Sequence, residues 1–243
     1  MAIVVAVDGI IGAGKSTLLK KLSTIPSIRS RRLVVIQEDV KDWVDQGILK
    51  QFYEDPERNA FAFQLHVLCS RAKRLQHAID HNSGAVIVTE RTAVSDYMFA
   101  KMLFDSNKIG NFEFKIYQMV YQSMLEIETS ARILLKCSPE EALKRCVLRN
   151  REGEEKITLE YLQQVEEYTN EFFNEDDEFI PFLKVSTEIE LNDLVDTATI
   201  FLEDFVHDEE NVKFRIIYLR WTIALAIVLV LSGHVFSFLD RFF

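Results

Sequence analysis

The chain is short of the residues that interrupt regular structure. Its 243 residues include 8 glycines and 4 prolines, and no Pro-, Gly- or Ser-rich tract separates one part from another, so no flexible linker divides it into several large domains. It has no internal repeat. Cysteine is equally scarce. Cys69, Cys137 and Cys146 fall in apolar or helical surroundings without metal-ligand spacing, which points to a reduced, cytosolic domain. Positive charge is the third shortage: 28 Lys and Arg stand against 38 Asp and Glu, a net charge of -10 that argues against nonspecific binding to nucleic-acid phosphates. Much of the acid lies in 152–178 and reads as a solvated helix with an acidic turn. No signal peptide is visible before the first motif.

What is present is apolar residue, 48% of the chain, enough for one substantial core. The sequence begins "MAIVVAVDGIIGAGKSTLLKKL". Ile3 to Val7 suit a strand buried on both faces of a parallel sheet. Gly9 to Ser16 then match G-x-x-x-x-G-K-[ST] at every fixed position, with Gly9, Gly14, Lys15 and Ser16 fixed and Gly12, Ala13 and Thr17 around them. The glycines allow a tight turn that aims backbone N–H groups at phosphate oxygens, and the following helix presents its positive end. Lys15 reaches the terminal phosphates and the Ser16 hydroxyl ligates magnesium. This motif specifies a nucleoside triphosphate such as ATP, with Mg2+. It leaves the acceptor open.

Further strand-like runs fall at Leu33 to Ile36, Ala85 to Thr89, Arg132 to Lys136 and Phe182 to Val185, separated by long helical stretches. That alternation predicts an α/β fold, a five-stranded parallel sheet flanked by helices. Pro56, Pro139 and Pro181 each mark an element boundary. The catalytic domain is expected over 1–206, ending in a helix from Leu191 to Phe205, followed by a basic linker over 207–220. From Trp221 to Leu239 the chain reads "WTIALAIVLVLSGHVFSFL", with His234 its only ionisable residue, near the ~20 residues a helix needs to cross a bilayer. Lys213, Arg215 and Arg220 precede it, so the expectation is a tail anchor with the catalytic domain facing the cytosol. A buried core or dimerisation helix is the alternative.

Three stretches carry candidate acceptor chemistry. "QEDVKDW" puts Glu38 at a strand's carboxyl end, where open α/β sheets bind ligands and where a carboxylate can act as general base on a hydroxyl. "FYEDPERNAFAFQLHVLCSR" brings together Phe52, Tyr53, Phe63, Gln64 and Arg71; such a set stacks on a planar base and reads its edge, although core packing explains the aromatics equally well. "VIVTERTAVSD" places Glu90, Arg91 and Asp96 at another carboxyl end. Beyond them, "LKRCVLRNREGEE" carries Arg145, Arg149 and Arg151 at a helix-to-loop transition, suited to a lid that neutralises a phosphoryl group in transfer, or else to a solvated helix face.

Taken in order, "GIIGAGKST", "QEDVKDW", "FYEDPERNAFAFQ", "TERTAVSD" and "LRNREGEEKITLEYL" resemble the deoxynucleoside kinases, particularly the deoxycytidine and deoxyguanosine kinase branch, over residues 2 to 205. The resemblance implies transfer of the ATP γ-phosphoryl group to the 5′-hydroxyl of a deoxynucleoside. It makes Glu38 the general base, Arg91 its neighbour at the reacting phosphate, Glu90 an organiser of magnesium, and Tyr53 with Glu154 the binders of the 3′-hydroxyl. It further makes Gln64 and Phe63 the base-reading and base-stacking pair, Ile11, Val40 and Trp43 pocket walls, Arg145 the residue over the donor adenine, and Arg149 and Arg151 the lid arginines. Arg71 and Asp96 accompany cytosine or purine bases, with thymidine also open. A homodimer packed through helices is implied as well.

The chain departs from the family pattern at three places. Ile10 replaces an asparagine, one residue is missing after Asp96, and the apolar tail has no counterpart. A one-residue deletion turns later helical side chains by about 100°, which puts Phe99's place in the pocket in question. Two other functions share the motifs: a nucleoside monophosphate kinase, and a membrane-tethered nucleotide-binding module whose catalysis has decayed. The first needs a cationic clamp where this chain offers Glu38, Tyr53 and Glu154.

Overall fold

The computed structural model describes residues 2–124, 129–174 and 180–231, the last of these by backbone alone after residue 211. The chain forms two compact units, Met1–Phe201 and Leu202–Phe243.

The first unit is built on a six-stranded sheet in the order β2-β3-β4-β1-β5-β6. Its strands are β1 (Ile3–Gly9), β2 (Ser27–Ile28), β3 (Arg31–Ile36), β4 (Val86–Glu90), β5 (Ala131–Lys136) and β6 (Phe182–Ser186). All seven residues of β1 are buried, because a parallel strand at the sheet centre is covered on both faces and its sequence must be apolar throughout. β3, β4, β1, β5 and β6 pair in parallel, the five strands that the apolar runs predict. The sixth is a correction. Ser27 and Ile28 pair antiparallel with Arg31 and Arg32, an edge hairpin too short to leave any alternation in the sequence.

Between the strands run α1 (Lys15–Leu22), α2 (Val40–Asp45), α3 (Ile48–Glu54), α4 (Pro56–His81), α5 (Ala93–Asp105), α6 (Asn111–Ser123), α7 (Pro139–Arg149) and α8 (Leu159–Phe172). Pro56 and Pro139 sit in the first turns of α4 and α7, where a missing N–H costs nothing. α4 is capped by the Asp55 carboxylate, which accepts from Arg58 N at 3.2 Å. Its buried face carries Ala60, Gln64, Val67, Leu68, Arg71, Ala72, Leu75 and Ala78, a three-to-four-residue spacing that is apolar except at Gln64 and Arg71. Leu68, fully buried with Phe52, Leu103, Phe114 and Tyr117, anchors that face; truncation to Ala costs about 2–5 kcal/mol.

Strand order places the functional end. β1 connects outward to β3 and β4 on one side while β5 and β6 lie on the other, so the connections diverge at β1 and leave a crevice beyond its carboxyl end. Register aligns the exits: Val7 lies beside Glu90, Ile36 beside Thr89, and Gly9 beside Leu135.

α9 (Leu191–Leu231) starts in the first unit and continues into the second. The sequence predicts its end at Phe205; no Gly or Pro stands between 191 and 231 to stop it, and the expected linker 207–220 is part of the helix. Of the expected membrane span 221–239, residues 232–239 lie outside the described residues. Among the described residues no helix is long and apolar enough to cross a membrane.

Candidate active site

A cavity of about 410 Å³ opens at the carboxyl ends of the strands. Every site residue expected from the sequence lines it except Gly9 and Ala13, which shape the phosphate loop from behind. Gly9 takes φ 143°, and a Cβ there would lie 2.6 Å from the Leu135 carbonyl; Gly12 takes φ 82° with its virtual Cβ 2.5 Å from the Ala142 carbonyl. Both positions therefore exclude any side chain. Lys15 is folded back, donating from Nζ to the carbonyls of Gly9 at 3.1 Å and Ile10 at 2.8 Å. Burial, with the Arg91 charge beside it, pulls its pKa down from 10.5 to about 8 against the pull of Glu90, Glu38 and Asp8.

Ser16 Oγ donates to the Glu90 carboxylate at 3.1 and 3.2 Å. Magnesium takes oxygen ligands and retains waters and phosphate oxygens in its shell. A hydroxyl and a carboxylate side by side at the start of α1 suit it, and Ser16 and Glu90 are the residues that would hold it.

The floor of the cavity is a network of charges drawn from the exits of β3 and β4 and from α4 and α5. Glu38, two residues beyond β3, receives Arg71 Nη2 at 2.7 Å and Arg91 Nη1 at 3.2 Å. Arg71 also holds the Asp96 carboxylate through Nε at 2.9 Å and the Glu90 carbonyl through Nη1 at 2.5 Å. Burial alone would raise the pKa of Glu38, yet Arg91, Arg71 and Lys15 outweigh it and hold the carboxyl down at about 2. Burial pushes Asp96 above the usual carboxylate range, with Arg71 opposing. Arg91 adopts φ 63°, a left-handed conformation that costs an arginine about 1–2 kcal/mol. Its backbone N still bonds to Val7 O at 3.1 Å while Nη2 reaches Gly9 O at 3.3 Å, so the strained residue clips the phosphate loop to Glu38.

Beyond the floor the wall is aromatic. Phe63 stacks on Phe52 with centroids 4.6 Å apart and meets Trp43 edge-on at 5.8 Å. Gln64, on the buried stripe of α4, lines the same wall with Ile11 and Val40. Tyr53 is half-buried, and desolvation first, then the charges of Tyr161 and Glu154, push its hydroxyl pKa well up.

The roof comes from α7 and the loop after it. Arg145 pairs with Glu141 at 3.1 Å and donates twice to Thr187 at 3.0 Å. Arg149 Nη2 and Arg151 Nη1 both bond to Glu154, at 2.5 and 2.9 Å on different carboxylate oxygens.

The residues that sequence reasoning missed are tertiary. Leu49, Val67 and Tyr161 line the cavity; Val67 lies one turn beyond Phe63 and Gln64 on α4, a spacing that could have marked it. Phe99 keeps a cavity position despite the deletion before it, with the Arg91 guanidinium 4.8 Å above its ring. Asp8, the one charge in β1, accepts from Ser95 Oγ and from Arg132 and supports the loop from beneath. A carboxylate in an otherwise apolar strand was its signal.

A phosphate-binding loop, a carboxylate fixed beside it and an arginine-bearing roof over one cavity define a nucleoside triphosphate-dependent phosphotransferase. The family model described as deoxynucleoside kinase matches residues 5–217, and the chain belongs to that family of kinases. A deoxyadenosine kinase of Dictyostelium discoideum is 32% identical over 184 residues, covering 75% of this chain and 71% of the relative. A probable deoxycytidine kinase of fowlpox virus is 32% identical over 189 residues, covering 75% and 77%. Among solved structures, a deoxyadenosine kinase from M. mycoides, described with the products dCMP and a flexible dCDP bound, superposes with a TM-score of 0.71 at 24% identity, over 83% of this chain and 100% of that one. That likeness establishes the fold.

Proposed function

We propose that the protein transfers the γ-phosphoryl group of ATP, or a similar nucleoside triphosphate, to the 5′-hydroxyl of a deoxynucleoside, with deoxycytidine and the purine deoxynucleosides preferred and thymidine a possible substrate. The observation that carries this reading is Glu38, an ionised carboxylate held by Arg71 and Arg91 beside the phosphate loop. With its pKa held at about 2, Glu38 is a weak base. Its task is to orient the acceptor hydroxyl and take the proton late, once phosphoryl transfer has made that hydroxyl acidic. Lys15, Arg91, Arg149 and Arg151 stabilise charge on the phosphoryl group, and magnesium at Ser16 and Glu90 supplies further neutralisation when bound. Tyr53 and Glu154 meet the 3′-hydroxyl, Gln64 and Phe63 read and stack the base, and Arg145 lies over the donor base.

Base choice is assigned to Arg71 and Asp96. A buried acceptor carboxylate beside a guanidinium satisfies the exocyclic amine of cytosine or adenine and crowds a thymine methyl. The names of the deoxyadenosine and deoxycytidine kinase relatives support the same preference. A phosphorylation panel of all four deoxynucleosides and their ribo counterparts tests it: deoxycytidine or a purine deoxynucleoside is expected to lead, and no turnover of any nucleoside overturns the reading.

Two further assignments belong to this proposal. A homodimer is supported by the exposed Phe112 and Met119 of α6, and analytical ultracentrifugation reads it; a monomer at micromolar concentration refutes it. A membrane-inserted tail with a cytosolic catalytic domain is supported by the apolar run from Trp221 to Leu239 behind Lys213, Arg215 and Arg220. Carbonate extraction of the full chain decides it, and release into the supernatant rules it out.

A further inference from the structure

Two of the roof arginines, Arg149 and Arg151, share one counter-ion, and it stands at the end of the cavity proposed for the acceptor. Glu154 gives one oxygen to Arg149 at 2.5 Å and the other to Arg151 at 2.9 Å. Its own side chain is 6% exposed, whereas the arginines are 32% and 26% exposed, so the carboxylate is the buried, fixed member and the guanidinium groups face outward over the cavity. The loop that carries Glu154 is seated on α3. Gly153, at φ 89°, packs so closely that a Cβ would lie 3.2 Å from the backbone of Lys50, and Lys156 Nζ reaches the Glu54 carbonyl at 3.5 Å. α3 also supplies Tyr53, and Tyr53, Glu154, Arg149, Arg151 and the phosphate loop all line the one cavity.

A triphosphate reaching the cavity offers the arginines a stronger partner than Glu154, because phosphate oxygens bind guanidinium bidentately with charge assistance. Their transfer frees both carboxylate oxygens. A sugar hydroxyl then meets a carboxylate with open acceptor sites. We infer that Glu154 is a positioning residue that couples the two substrates, so that donor phosphate, by drawing off Arg149 and Arg151, tightens the binding of a hydroxyl-bearing acceptor, and the acceptor tightens the donor by the same factor. This rests on the proposed function, in which the acceptor's 3′-hydroxyl meets Tyr53 and Glu154. The reciprocity is a thermodynamic requirement.

Titration calorimetry on the full chain with magnesium tests it. The dissociation constants of the β,γ-imido analogue of ATP are measured with and without deoxycytidine or deoxyadenosine, in the wild type and in Glu154→Gln. In the wild type the acceptor is expected to tighten the analogue by about fivefold or more. In Glu154→Gln the analogue alone binds more tightly than to the wild type, since the arginines no longer leave a carboxylate, and the acceptor changes its affinity by less than about twofold. A second measurement needs no variant: with a 2′,3′-dideoxynucleoside as acceptor the wild type shows the same loss of coupling. Equal coupling in both proteins, or full coupling with the dideoxynucleoside, overturns the inference and leaves the proposed function standing. If no nucleoside binds the wild type at all, the proposed function itself has failed.

Discussion

The floor and the roof of the cavity solve the same electrostatic problem in opposite ways. On the floor, the Glu38, Arg71 and Asp96 side chains are 11%, 8% and 2% exposed, and each charge has its partner in place before substrate arrives. On the roof, Arg149 and Arg151 are a quarter to a third exposed and are satisfied by a carboxylate close to them in sequence. Fixed charges in a dry site stabilise a transition state without reorganisation, while partly exposed ones exchange partners more readily. The floor charges are paired in place, and under the proposed coupling it is the roof charges that change partners when the donor arrives.

The largest effect should come from the floor. Glu38→Gln is expected to lower kcat about a thousandfold with the affinity for ATP largely unchanged, measured by steady-state kinetics beside nucleotide titration. Turnover near the wild-type rate would remove Glu38 from its assigned role. That carboxylate also stabilises the fold. Its folded pKa of about 2 lies below the ordinary 4.5, so its contribution is complete above pH 4.5 and is lost as pH falls towards 2. The variant's melting temperature should accordingly depend less on acid than the parent's.

Next comes the roof. Arg151→Ala is expected to reduce kcat/KM for ATP by about a hundredfold. The roof should also be the salt-sensitive region: raising NaCl weakens donor binding through exposed arginines and leaves the Glu38 network unaffected. If Arg151→Ala retains the full salt dependence of the wild type, the contrast between floor and roof is wrong. Smaller again, Arg71→Lys keeps the charge but loses the fork that spans Glu38, Asp96 and the Glu90 carbonyl, and should raise KM for the acceptor about tenfold.

The smallest effect is on pH and heat. With Lys15 at about pKa 8, kcat/KM for ATP should fall as pH rises through 8, since that ratio reports the free enzyme. The folded pKa lies below that of the unfolded chain, so the charged lysine opposes folding at neutral pH, and stability rises between about pH 8 and 10.5 as the unfolded state keeps the extra proton. Lys15→Met should therefore melt about 2–4 °C higher without nucleotide, while losing turnover. A lower melting point in that variant would mean the lysine is a structural strut.

Much of this arrangement is legible in the sequence, and the boundary of legibility is physical. β1, β4, β5 and the phosphate loop announce themselves because a strand covered on both faces must be apolar throughout and a phosphate turn must be glycine-rich; β3 and β6 are only partly buried and show as shorter apolar runs. Most site residues are legible because they lie at a strand exit or on a helix stripe; Arg151 marks a helix-to-loop transition, and Glu154, in the same loop, is reached only through the family resemblance. Partnership is what the sequence leaves out. Arg71 reads as a residue concerned with the base, yet through one guanidinium it touches Asp96, Glu38 and the Glu90 backbone, a convergence that exists only once α4 packs across β3 and β4. Glu154 reads as a sugar ligand and is found holding two arginines. The edge strand Ser27–Ile28 is too short to carry a period, and α9 runs past its expected end because nothing in 206–231 breaks it.

The edge-on packing of Trp43 against Phe63 gives the molecule a built-in optical reporter. The chain has two tryptophans; Trp43 lies in the cavity wall, 6% exposed, and Trp221 belongs to the other compact unit. A nucleobase stacking beside Phe63 would come within quenching distance of the Trp43 indole. Acceptor occupancy can then be followed by unlabelled emission in a Trp221→Phe protein, on a timescale short enough to separate binding from turnover.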